Sequence, residues 1–186
     1  MAPPMPRIEA ERVTVATDFE PFDPDAAADA AGVSVSLWMG FGRLLGLYAR
    51  VAGHGTIGLH FELERQAYER LRRVVLAHEL CHHFTCTGIH VRPFICAADS
   101  LTTSRVEAQA ARWAAMRLCP PDLVRTFVSQ HEAIGLDEVL ELAELVQVPE
   151  GFALWWLADL AARCVVADGH PGQVPPWIPR LVTDRE

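Results

Sequence analysis

The run RRVVLAHELCHHFTC, Arg72 to Cys86, is the part of this 186-residue chain that leaves the fewest options open. Val74, Ala77, Cys81 and Phe84 recur at helical spacing and predict one apolar stripe on a helix that begins after Glu62. Beside that stripe stand His78, Glu79 and His82. Residues four apart on an α-helix are offset by only about 40° around the axis, so both imidazoles can reach one ion. Glu79, about 100° around from His78, is then placed to address water at that ion. The His-Glu-x-x-His spacing therefore predicts a metal site, with His78 and His82 as ligands and Glu79 as a general base.

Two histidines do not complete such a site, and the third ligand decides its class. A glycine and a histidine three and six residues beyond His82 would give one familiar solution, but those positions hold Thr85 and Gly88. A glutamate from a following helix would give another, and Glu107 stands 25 residues after His82, near the start of SRVEAQAARWAAMRLC. Ser104-Arg105-Val106-Glu107 also spells a capping box, in which Glu107 would only bond back to the Ser104 amide. Cys86, His83, His90, Cys96 and Asp99 are rival ligands. A Cys86 thiolate would close the site into a structural one, whereas a carboxylate would leave it open. Such ligands suit Zn2+, with Mn2+ or Fe2+ as alternatives.

Upstream, residues 1–32 are rich in Pro, Asp and Ala and read as a loosely ordered leader with a short helix near Asp25 to Ala31. From Val33, VSVSLWM, LLGLYARV and TIGLHF, the last after a Gly53-His54-Gly55 turn, predict a small antiparallel sheet of about three strands. The fold class expected is thus α+β, with the sheet packed on the metal-binding helix and a core spanning 33–120. Pro120-Pro121 stops the alanine-rich helix. Helical segments over Asp122 to Ile134, Asp137 to Gln147 and Pro149 to Ala167 make a helical subdomain, 121–168, before an extended Pro/Gly-rich tail, 169–186.

Charge and cysteine usage limit the surroundings. The net charge is −8, and all sixteen basic residues are arginine, a composition of GC-rich bacterial or phage genes. Such an acidic surface argues against direct nucleic-acid binding and suits a basic protein partner. No apolar run is long enough to span a bilayer, and five cysteines without a CxxC pair imply no disulfide framework. A cytoplasmic protein without membrane association is expected.

Taken in order, TIGLHF, LAHELCHHF, VEAQAARWAAMRLCP and LDEVLELAELVQVPEGFALWWLADLA resemble the ImmA/IrrE family of metallo-endopeptidases over roughly residues 33 to 168. The resemblance implies a zincin-like fold and a gluzincin-like active site. Zinc would be held by His78, His82 and Glu107, with Glu79 as general base. The implied substrate is a specific protein, a helix-turn-helix transcriptional repressor of a mobile element or stress response. Four positions depart from the family pattern: Cys81 replaces a glycine, Gln109 a glutamate, Ala111 an Asn or Asp that supports a ligand histidine, and Cys119 a methionine. The loss of polarity at Ala111 motivates an alternative, a zinc-binding regulatory module that captures a partner without hydrolysis.

Overall fold

The computed structural model describes residues 19–39, 44–85 and 105–167. Helix α1, Pro24–Ala30, opens on Asp23, whose carboxylate accepts hydrogen bonds from the amides of Asp25 and Ala26 at 2.9 and 3.1 Å. A proline at its first position suits a helix start, where the missing N–H has no partner to lose. Arg72 holds α1 through a bidentate pair with Asp25, at 2.6 and 2.7 Å, and Ala28 is fully buried.

Three strands follow: β1, Ser34–Trp38; β2, Gly46–Val51; and β3, His54–His60. Their spatial order is β1-β3-β2, with β2 antiparallel and β1 parallel to β3. The sheet is therefore mixed, which corrects the antiparallel sheet expected from the sequence. β3 is the more thoroughly buried strand, with Ile57 and Leu59 wholly enclosed, and it occupies the centre. β2 ends in the half-buried Arg50 and exposed Val51 and occupies an edge. The hairpin turn lies at Ala52 and Gly53, one residue earlier than predicted, and both have positive φ, 50° and 86°. That pair matches the twist of a two-residue hairpin, at a conformational cost for Ala52.

Two short 3-10 turns, Phe61–Glu64 and Gln66–Tyr68, lead into helix α2, Glu69–Thr85. Helix α3, Arg105–Leu118, lies against α2 through Ala110, Ala111, Ala114 and Ala115, each at most 3% exposed. Side chains this small allow the two helices to approach closely. Helices α4, Pro121–Ser129, α5, Leu136–Val146, and α6, Glu150–Ala167, complete the described elements.

Two hydrophobic clusters result. One gathers Tyr48, Ile57 and Leu59 from the sheet with Ala28, Val75, Leu76 and Leu80. The other gathers Val74 and Ala77 with α3 to α6, centred on Phe127, Leu142 and Trp156. Trp156 donates to the Cys119 carbonyl at 2.9 Å, satisfying a buried indole N–H. Asp159 of α6 accepts bonds from Arg112 of α3 and from Arg163. Phe84, predicted as the last member of the α2 stripe, is 55% exposed and leans on Trp113, with ring centroids 5.7 Å apart. Among the described residues, no helix is long and apolar enough to cross a membrane.

Candidate metal centre

Helix α2 presents a different partner to each of its faces. Val74 and Ala77 face the helical cluster, while Val75, Leu76 and Leu80 face the sheet cluster or β2. His78 and His82 lie between, one turn apart, and meet Glu107 in the first turn of α3. Nε2 of His78 is 3.0 Å from Oε2 of Glu107 and 3.2 Å from Nε2 of His82, and His82 Nε2 is 3.5 Å from the same carboxylate oxygen. All three residues are at most 3% exposed.

The triangle fits a metal ion. In tetrahedral zinc coordination with ligand distances of about 2.0–2.1 Å, neighbouring ligand atoms stand about 3.3–3.4 Å apart, and the three observed separations bracket that value. Two imidazole nitrogens and a carboxylate oxygen are the donor set such an ion takes, and burying them together without a cation is costly. The buried group His78, His82 and Glu107 can thus hold a metal ion. Among the described residues these three are the group of ligands that converges, and a site with three protein ligands is the kind that can admit water or substrate.

The electrostatics are those of a site built around positive charge. Burial raises the Glu107 carboxyl, but hydrogen bonds and charge from His78 and His82 outweigh it and hold the group at about 2. Burial pushes His78 below its ordinary value, which favours the neutral form that ligates. Glu79 is 1% exposed, and burial together with the Glu107 carboxylate pushes it well above the usual range. The amide of Tyr48 opposes that shift by donating a hydrogen bond to Glu79. Among the described residues, Oε1 of Glu79 has no hydrogen-bond partner, the condition of a buried carboxylate that awaits one.

Strand β2 supplies that amide because of its register. The His60 amide donates to the Leu45 carbonyl at 2.9 Å, so Leu47, Ala49 and Val51 bond towards β3 and the Tyr48 N–H points to the outer edge. Gly46 makes the approach possible. A Cβ there would lie 2.6 Å from Val75 Cγ1 and 2.9 Å from Glu79 Oε1. Sequence reasoning missed Gly46, although a glycine inside the strand pattern LLGLYARV is the mark of a close backbone approach.

The structure brings together His78, Glu79, His82 and Glu107, the residues predicted from spacing. The Glu107 carboxylate is directed to the histidines, while Ser104, its alternative capping partner, lies outside the described residues. So do the rival ligands Cys86, His90, Cys96 and Asp99. His83 turns away from the triangle to Tyr48. Burial and the nearby Arg50 charge lower its pKa. Cys81 is buried with its sulfur 3.7 Å from the Thr85 hydroxyl, Gln109 faces solvent, and Ala111 is 3% exposed. His131 packs on Phe127, away from the triangle, with ring centroids 4.5 Å apart. In comparison with known proteins, the sequence matches no family model and no curated protein at a significant level.

Proposed function

We propose that this protein is a zinc-dependent endopeptidase of ImmA/IrrE type with a zincin-like fold, acting in the cytoplasm on a specific protein, a helix-turn-helix transcriptional repressor. The observation that carries the reading is the buried triangle of His78, His82 and Glu107 with the Glu79 carboxyl enclosed beside it. A structural site needs no such neighbouring carboxyl. A peptidase needs it as its proton carrier.

His78, His82 and Glu107 would hold the zinc ion, which would supply Lewis acidity at the site. The Tyr48 amide orients Glu79 and opposes the rise caused by burial and the Glu107 carboxylate, and a bound cation would further favour the ionised form. Glu79 then takes the proton from the attacking water and returns it to the leaving amine. The chain's net charge of −8 supports a basic protein as the partner. Manganese or iron fits the same donor set.

A second reading is favoured by Ala111, which is buried on α3 one turn beyond Glu107 and brings no polar group there. Under it the zinc-binding fold captures a partner protein without cleaving it. Glu79→Gln separates the two. With zinc content and folding unchanged, loss of repressor cleavage supports the peptidase, while an intact biological effect supports the binding module. Metal content comes first: about one zinc per chain in the wild type, largely lost in Glu107→Ala, is expected. Zinc retained at full occupancy by Glu107→Ala would remove Glu107 as the third ligand.

A further inference from the structure

On its α2-facing side, β2 aligns Gly46, Tyr48 and Arg50 with the row Val75, Glu79 and His83. The first part of this seam holds Glu79, which borders the metal triangle. The second part holds a separate polar chain. Arg50 donates through Nε to the Tyr48 hydroxyl at 3.2 Å, and that hydroxyl lies 3.1 Å from Nδ1 of His83. Arginine is a donor only, so the hydroxyl accepts from Arg50 and is free to give its own hydrogen to Nδ1, an arrangement that places the ring hydrogen of neutral His83 on Nε2. The outer members of the chain, the terminal nitrogens of Arg50 and Nε2 of His83, are then all donors.

The surroundings are shaped to hold this arrangement. Tyr48 is fully buried, whereas Arg50 and His83 are half-buried and remain accessible. A Cβ at Gly55 would come within 2.7 Å of His83 Nδ1 and 3.3 Å of Tyr48 Cε2, so a glycine is what lets the imidazole lie against the phenol. Six other arginines, at 65, 70, 72, 112, 125 and 163, pair with carboxylates. Arg50 meets none among the described residues, in a chain with 24 acidic groups against 16 basic ones. Tyr48 also ties the chain to the metal centre, since its amide holds Glu79 while its hydroxyl holds His83. Glu79 and His83 are one helical turn apart, about 6 Å along α2.

We propose that Arg50 and His83, aligned by Tyr48, form a carboxylate-recognising subsite beside the metal centre, which selects an acidic side chain on the bound polypeptide. The identity of the ligand as a polypeptide rests on the peptidase reading; the carboxylate preference rests on the donor arrangement. Arginine supplies charge and a planar fork, and the imidazole N–H supplies a further donor, a combination that discriminates a carboxylate from the isosteric amide.

The test uses the zinc-loaded full chain and two small probes, N-acetyl-glutamate N-methylamide and its glutamine counterpart. Side-chain nitrogen resonances of Arg50 and His83 are followed by NMR during titration. The glutamate probe is expected to give a saturable shift at both, with the glutamine probe binding about tenfold more weakly or less. Arg50→Gln, with unchanged zinc content, is expected to abolish the difference between probes. Equal responses to both probes, or shifts confined to His78 and His82 because the carboxylate has gone to the metal, would overturn the subsite. Zinc content and the Glu79→Gln comparison report separately on the peptidase, so either idea can fail while the other stands.

Discussion

His78 and Glu107 are 29 residues apart in sequence, yet Nε2 of one lies 3.0 Å from Oε2 of the other, and both side chains are buried. That contact joins the two helices from which the metal centre is made. An ion that binds there and not to the unfolded chain stabilises the fold by mass action, by about 2.7 kcal/mol at a free concentration 100 times Kd. Thermal unfolding of metal-stripped protein should therefore move to higher temperature as zinc is added, and Glu107→Ala should remove the response. A zinc-independent melting temperature in the wild type would count against the site.

Gly46 packs where α2 and β2 come closest. Gly46→Ala should destabilise the protein by about 1–3 kcal/mol through overpacking against Val75 and Glu79. Because the ligands themselves are untouched, zinc stoichiometry should be kept while the Glu79 carboxyl is displaced. Urea unfolding and metal analysis on the same preparation check both parts.

The Asp159 ion pairs provide a pH-dependent link between α3 and α6. Burial raises the Asp159 carboxyl, but bonds and charge from Arg112 and Arg163 prevail, so its folded pKa lies below the ordinary 3.8. Stability from a depressed carboxyl is fully present above the unfolded pKa and is lost as pH falls through the folded one. Asp159→Asn should cost about 1–2 kcal/mol at pH 7, a figure moderated by the partly exposed arginines. The gap from wild type should close progressively below about pH 4. A gap that stayed constant across that range would assign the effect to packing.

Cys119 is wholly buried, and burial pushes its thiol up to about 12. At pH 8 only about one molecule in ten thousand would carry the reactive thiolate. Alkylation of the native protein should spare Cys119, and peptide mass mapping should find it modified only after unfolding. Rapid native labelling would show that this part of the helical cluster opens readily.

The sequence made α2 and its ligands legible because helical periodicity places His78, Glu79 and His82 without any tertiary information. The third ligand was a different matter. Glu107 and Cys86 were both chemically sound, and only the packing of α3 on α2, through its alanines, directs one carboxylate to the histidines. The parallel pairing of β1 with β3 was hidden for a similar reason. Alternation reports that a strand has two faces, but not which neighbour it takes. Arg50 gave no signal of its own and Gly55 read only as a turn residue, since their roles exist only once Tyr48 and His83 share the seam between sheet and helix.

Helix α2 is the one described element with fully enclosed side chains in both hydrophobic clusters. It therefore works as a keel. Sequence drift in the sheet or in the later helices can be absorbed by neighbours on one side, but a change in α2 disturbs both halves at once. The two histidines ride on this doubly enclosed helix, and Glu107 rides on the adjoining plank. Variation in what the protein recognises has its freest ground on β2, where a side chain can change without shifting the keel.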